Sequence, residues 1–190
     1  MPETTTQLGA GPRAVIRPYR SEDAEEFTAL ARESKALHHP WLFPPDDAEA
    51  FATYVSRFTG PSGAGGPAGV GGAAGYLVCS RSDGRIAGYV NVNNIVRGAF
   101  RSGAIGYGAF AHAAGQGLMS EGLALVMRHA FGPLGLHRLE ANIQPANTRS
   151  IAFVRRAGFR LEGYSPDFLY IHGAWRDHER WAVTAGPQSA

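Results

Sequence analysis

Two glycines separated by one residue, in Ala114-Gly-Gln-Gly-Leu-Met119, fall where a strand-like run ends and a helical pattern begins. Glycine at such a junction lets the backbone turn sharply and lets a ligand approach it closely. The first amides of the following helix have no intrahelical acceptor, and together with the helix dipole they form an anion site. Each such interaction is worth about 0.3–1 kcal/mol, and up to about 2 kcal/mol when partly buried. A Gly-x-Gly pair before a helix is equally compatible with a plain tight turn. Two nucleotide folds are excluded. A Walker loop ends in Gly-Lys-Ser/Thr, and the only lysine of this chain is Lys35. A dinucleotide fold needs three glycines after its first strand and then a ribose-binding acid, whereas here two glycines stand at mid-chain.

Hydrophobic periodicity places the remaining elements around this turn. Residues 1–12 read as a disordered leader and 186–190 as a tail, with one domain over 13–185. Ala14–Pro18 is a short strand. Ser21 caps a helix with an acidic first turn (Glu22, Asp23, Glu25) and an apolar stripe of Phe27, Leu30 and Ala31. An irregular stretch rich in proline and aromatics, 38–45, leads to a second helix from Asp46, with Glu49 completing a capping box. Residues 60–75, nearly all Gly, Ala, Pro and Ser, read as a flexible loop. Strands are expected over 76–81, 86–96 and 104–110, the first two joined by the Ser82-Asp-Gly-Arg85 turn. After the glycine turn a helix runs to Gly132-Pro133. A strand over 138–144, a helix over 147–156 and two strands over 159–171 and 175–184 complete the chain. The order β-α-α-β-β-β-α-β-α-β-β is a mixed α/β sheet with helices on its faces.

Composition narrows the function. With 190 residues, 44% of them hydrophobic, the chain can bury one core. A net charge of +2 argues against nucleic acid as the general partner. Nearly all of the basic side chains are arginine, which suits a phosphorylated ligand and equally reflects codon bias. The single cysteine, Cys79, excludes an intrachain disulfide and a cysteine metal cluster, and its apolar surroundings make it a small buried hydrophobe. No run reaches the roughly 20 apolar residues of a membrane helix, and the polar N-terminus has no signal-peptide core. Cytoplasmic residence, no membrane partner and no metal are the expectations.

The element order and the glycine turn together resemble the GNAT acetyltransferase superfamily, and within it the RimJ/RimL-type ribosomal-protein alanine N-acetyltransferases. The segments that carry the match are Asn93-Asn-Ile-Val-Arg-Gly98, Ile105-Gly-Tyr107, Gly115-Gln-Gly-Leu-Met119 and Leu136-His-Arg138. Asn147-Thr-Arg-Ser150, Gly158-Phe159, Glu162-Gly-Tyr164 and Gly173-Ala-Trp-Arg-Asp-His178 extend it to the end of the chain. The resemblance implies a GNAT-like, mostly antiparallel seven-stranded sheet with helices on both faces and acetyl-CoA as co-substrate. It also implies a coenzyme site made of Ala109, Phe110, Ala114, Gly115, Gln116, Gly117, Leu118, Met119, Ser120 and Asn147. The backbone amides near Ala109 and Phe110 would orient the pantetheine and polarise the thioester. Ala114 stands where the signature has Gln or Arg, and Met119 where it has Gly or Ala, so a side-chain contact to phosphate is lost. Val154 replaces the tyrosine that serves many members as general acid.

Ser150 and Asn147 are the candidate catalytic residues that the resemblance implies. Ser150 would protonate or hydrogen-bond the leaving thiolate, or simply sit in a first helical turn; Asn147 caps that helix and could also reach the pantetheine. Trp41, Asn93, Asn94 and Tyr107 are the candidate acceptor-side residues, with Trp41 either walling the site or packing in the core. Asn91, Asn93 and Asn94 can hold a water but cannot act as bases. His38, His39, Asp167 and His172 read as surface or turn residues. With no evident base, an α-amine of pKa about 7.7–8.0 is favoured over a lysine amine of about 10.4, being several hundred times more abundant in neutral form. The expected acceptor is therefore a protein N-terminus. A small-molecule amine acetyltransferase and a non-catalytic acyl-CoA-binding domain remain open alternatives, as does a homodimer.

Overall fold

The computed structural model describes residues 7–59 and 72–186. Eight strands form a single sheet in the order β1-β2-β3-β4-β5-β6-β8-β7. They are β1 (Gly9–Ala10), β2 (Ala14–Arg17), β3 (Gly72–Ser80), β4 (Ile86–Val96), β5 (Ser102–Ala109), β6 (Arg138–Ile143), β7 (Arg160–Ile171) and β8 (Ala174–Thr184). The helices are α1 (Ala24–Glu33), α2 (Lys35–His38), α3 (Ala48–Thr59), α4 (Leu118–Phe131) and α5 (Thr148–Arg156). Every neighbouring pair is antiparallel except β5 and β6. Among the described residues no helix is long and apolar enough to cross a membrane.

The two-residue period of a strand divides the core between the sheet's faces. On β3, Tyr76 and Val78 join one apolar cluster with Leu123 and Val126 of α4 and Val154 of α5. Leu77 and Cys79 join the other, with Phe27 of α1 and Phe51 and Val55 of α3. Burial pushes the Cys79 thiol up to about 11, which fits an inert apolar role.

Four boundaries differ from the expectations, each for a local reason. Gly9–Ala10, placed in the leader, pairs with β2, fastened by Leu8 N–H to the Ile16 carbonyl at 2.9 Å. This adds an eighth strand; residues 1–6 lie outside the described set. The glycine-rich run 60–75 is described only from Gly72, where it is already β3. Small residues are needed there because the Tyr19 and Phe58 rings lie on the backbone: a Cβ on Gly75 would sit 2.5 Å from one and 2.7 Å from the other. Ser21 does not cap α1. A 3-10 turn over Ser21–Asp23 precedes that helix, and the Asp23 carboxylate accepts the Arg20 amide at 2.8 Å while pairing with Arg17. Finally, Asp47 rather than Asp46 caps α3, accepting the Ala50 amide at 2.8 Å, and Asp46 pairs with Lys35 at 2.9 Å.

Two features position the site. The parallel pairing of β5 with β6 covers only Ser102–Ala104 against Arg138–Glu140, after which the strands diverge and, among the described residues, the rest of β5 has no paired strand on that side. The chain then leaves β5 through a 3-10 turn at Ala111–Ala113 and enters α4 at the glycine turn.

Candidate active site

Gly115 and Gly117 have φ of 77° and 82°, a left-handed backbone that L side chains rarely adopt. Gly117 is the N-cap of α4 and offers no capping side chain. The first helical bond runs from the Glu121 amide to the Gly117 carbonyl, so the amides of Leu118, Met119 and Ser120 have no acceptor within the helix. The Leu118 and Met119 side chains are buried, and only their backbone is on offer to a ligand. The turn is braced from within. The Gln116 side-chain amide donates to the His112 carbonyl at 2.6 Å, and the Arg13 guanidinium donates to the Gln116 carbonyl at 2.6 Å. Arg13 lies 103 residues away in sequence, and nothing in its local pattern marked it.

Along β5, the Phe110 amide donates to the Ala87 carbonyl at 2.9 Å. Alternation along an antiparallel ladder therefore turns the amides of Gly106 and Gly108 toward β4 and those of Tyr107 and Ala109 toward the divergence. The expectation for Phe110 is corrected: its amide is committed to the sheet and its ring is fully buried, so the open donors are Tyr107 and Ala109. The Ala109 carbonyl meets Nε2 of His38 at 2.7 Å. His38, expected at the surface, is only 3% exposed, and burial lowers its pKa against the raising effect of that carbonyl.

Across the divergence stands the start of α5. The Asn147 side chain accepts the Ser150 amide at 3.2 Å, a helix cap. The Ser150 hydroxyl lies 2.5 Å from the Tyr107 hydroxyl. Burial raises the Tyr107 phenol to about 12, against the lowering effect of the Ser150 hydrogen bond. Tyr107, expected on the acceptor side, has its hydroxyl partnered by the serine. Val154, where the usual tyrosine is missing, is fully buried in the core.

The acceptor-side asparagines separate into different roles. Asn91 accepts from the Tyr19 hydroxyl at 3.0 Å and donates to the Tyr54 hydroxyl, which leaves it committed to the protein. Asn93 accepts from Arg57 at 3.1 Å. Asn94 is exposed, with φ of 51°, at the bulge where β4 slips against β5, and its position is a backbone requirement. Trp41 is half-buried, its amide on the His38 carbonyl at 2.8 Å. Beside Arg57 a shallow cleft of ≈ 570 Å³ is lined by Phe43, Pro45, Asp47, Glu49, Thr53 and Tyr54. The hairpin residue His172 closes on Phe43, ring centroids 3.9 Å apart. Glu140, opposite Ala104 where β5 and β6 part, is a carboxylate that sequence reasoning passed over. Desolvation pushes its pKa up, but Arg138 at 2.8 Å and Arg180 at 3.0 Å outweigh this and hold it below its usual value. It is a poor base. Among the described residues no cluster of three His, Cys, Asp or Glu side chains is placed to hold a metal ion.

Comparison with known proteins agrees with this geometry. Residues 13–160 match the family model described as an acetyltransferase (GNAT) domain. The chain is 38% identical over 174 residues to the probable N-acetyltransferase YjcK of Bacillus subtilis, covering 91% of this chain and 94% of that one. It is 31% identical over 172 residues to the [ribosomal protein uS5]-alanine N-acetyltransferase of Escherichia coli, covering 90% and 88%. The solved structure of Mycobacterium smegmatis RimJ in complex with CoA-disulfide superposes with a TM-score of 0.80 at 29% identity, over 94% of this chain and 89% of that one. The divergent strands, the open amides and these matches lead to one conclusion: the chain belongs to the GNAT acetyltransferase family, N-acetyltransferases whose acyl donor is acetyl-CoA.

Proposed function

We propose that this protein transfers the acetyl group of acetyl-CoA to the N-terminal α-amine of a protein, with a ribosomal protein as the first candidate, by direct attack in a ternary complex. The pyrophosphate binds the amides of Gly117 to Ser120, and the pantetheine follows the open edge of β5, where the Tyr107 and Ala109 amides face it. A groove of ≈ 860 Å³ between α4 and α5, running from Ser120 and bordered by Arg128 and Arg156, has room and charge for the nucleotide end. The amine nitrogen attacks the thioester carbon and the carbon–sulfur bond breaks.

The Ser150–Tyr107 pair supports the leaving sulfur as a hydrogen-bond donor rather than as a full acid. Tyr107 at about 12 lies roughly 3.5 units above a thiol of about 8.5, so complete proton transfer from the phenol costs about 5 kcal/mol. Ser150 donates to the developing thiolate, Tyr107 donates to Ser150, and the proton that ends on the thiol is the one the attacking nitrogen loses as the tetrahedral adduct collapses to the amide, carried through solvent.

The observation that carries the α-amine assignment is the equipment at the divergence: a hydroxyl pair, with the nearby Glu140 carboxylate clamped by two arginines. Such a site must rely on an amine that is already substantially neutral. The similarity to a uS5-alanine acetyltransferase supports the same reading. The experiment is thiol release from acetyl-CoA with Ala- or Ser-initiated peptides beside the same peptides N-blocked and carrying lysine. We expect at least a hundredfold preference for the free N-terminus at pH 7.5, with the rate rising up to about pH 8. Equal rates on lysine, or turnover confined to small amines, would overturn it.

A further inference from the structure

The glycine turn lacks the long polar side chain that the family signature puts at position 114, and Ala114 cannot reach a phosphate. A cation nevertheless stands at the turn. We propose that Arg13, carried in by the N-terminal strand, is the side-chain contact to the coenzyme's pyrophosphate in this protein, filling the role that Ala114 leaves open. The proposal rests on the reading of the turn as the pyrophosphate site.

One guanidinium nitrogen of Arg13 donates to the Gln116 carbonyl at 2.6 Å, between the two left-handed glycines. The other terminal nitrogen lies 3.7 Å from where a Cβ of Gly117 would be, so it stands beside a residue that has no side chain of its own. A guanidinium has five N–H donors in a fixed fork, so the bond to Gln116 leaves donors available to a phosphate. Arg13 is exposed, which leaves it open to a ligand.

Its backbone is nonetheless fixed. The Glu121 carboxylate, in the first turn of α4, accepts the amides of Arg13 and Ala14 at 2.9 and 3.0 Å, and Arg81 donates its amide to the Arg13 carbonyl at 2.8 Å. Gly11, lacking a Cβ, makes room for that carboxylate. One helical turn therefore presents the open amides of Leu118 to Ser120 and also anchors the residue that brings the positive charge beside them. Cation and amides are thus brought to the same turn, which suits a doubly charged diphosphate.

Three donors separate this role from that of a mere brace: acetyl-CoA, acetyl-dephospho-CoA and S-acetylpantetheine, the last without phosphates. The variants are Arg13→Ala and Arg13→Gln, the second able to keep a hydrogen bond to the Gln116 carbonyl. We expect both to lower kcat/KM about 5–20-fold with acetyl-CoA and with acetyl-dephospho-CoA, and to leave S-acetylpantetheine turnover unchanged. Coenzyme A affinity should fall in parallel, and adding Ala114→Gln to Arg13→Ala should restore part of it. Equal losses on all three donors would make Arg13 a structural brace and overturn the proposal. A loss that disappears with acetyl-dephospho-CoA would assign Arg13 to the 3′-phosphate and overturn it as well. If the wild-type enzyme uses acetyl-CoA no better than S-acetylpantetheine, the pyrophosphate reading of the turn fails, and the proposal fails with it.

Discussion

Replacing Ser150 by alanine and Tyr107 by phenylalanine, singly and together, probes the support given to the departing sulfur. In the proposed transfer Ser150 is the group nearer the sulfur, and its loss would remove a hydrogen bond to a developing negative charge, worth about 1.5–3 kcal/mol. That corresponds to a fall in kcat of about 10–150-fold. Tyr107 acts one bond further away, through its 2.5 Å contact with the serine hydroxyl. Its removal costs a neutral hydrogen bond of about 0.5–1.5 kcal/mol, or about 2–13-fold. Phenylalanine keeps the ring against Phe153, whose centroid is 4.9 Å away, so the packing is preserved. Because the phenol works through the serine, Tyr107→Phe should have almost no further effect once Ser150 is alanine, and the double-mutant cycle should show a coupling close to the whole tyrosine effect. Steady-state thiol release with a saturating peptide supplies kcat, and melting temperatures check that each variant folds. Since burial holds the phenol at about 12, the pair keeps its protons through pH 10 and imposes no alkaline fall on the rate. Additive effects, or a Ser150→Ala enzyme with unchanged kcat, would refute the arrangement.

Gly122→Ala in α4 should lower stability by about 1–3 kcal/mol, because the new Cβ would lie 2.5 Å and 2.6 Å from the two methyl groups of Val78, a stiff side chain on β3; thermal unfolding measures it, and an unchanged melting temperature contradicts the packing. The pKa values of His38, His112 and His129 are all lowered, burial being the largest cause in each. The unfolded chain therefore binds more protons just below its ordinary histidine pKa of about 6.5, and stability is lost as pH falls from there through the folded values. Urea midpoints between pH 7.5 and 5.5 should fall accordingly, and His38→Gln, which keeps a donor for the Ala109 carbonyl, should make that fall shallower.

Order and type of the main elements were legible in the sequence because they rest on local signals. The apolar run of β3, the alternation in β6, Asn147 before α5 and the glycine pair before α4 each declare themselves within a few residues. What stayed hidden depends on groups brought together from a distance. The Tyr107–Ser150 contact spans 43 residues and the Arg13–Gln116 contact 103, and no periodicity encodes either. His38 reads as polar punctuation beside a proline until the Ala109 carbonyl, 71 residues on, supplies its partner. A motif gives the residues near a site, here Ala109 and Phe110, while only ladder register tells which of two adjacent amides is free. Glu140 shows the same limit in its charge, since two arginines from β6 and β8 decide how basic it is.

The parting of β5 and β6 also has a thermodynamic side. A sheet that stops pairing partway leaves an internal edge, normally a liability for a folded chain. In the proposed binding mode the pantetheine arm, with its own amides, takes the place of the absent strand, and the donor would then be a structural member of the protein for as long as it stays bound. Its binding energy adds to folding: at a hundred times its dissociation constant coenzyme A contributes about 2.7 kcal/mol, enough to raise the melting temperature by about 5–10 °C in a domain of this size. The enzyme between turnovers should be measurably softer along that edge than the enzyme holding its donor, and hydrogen exchange at the Tyr107 and Ala109 amides is where the difference should appear.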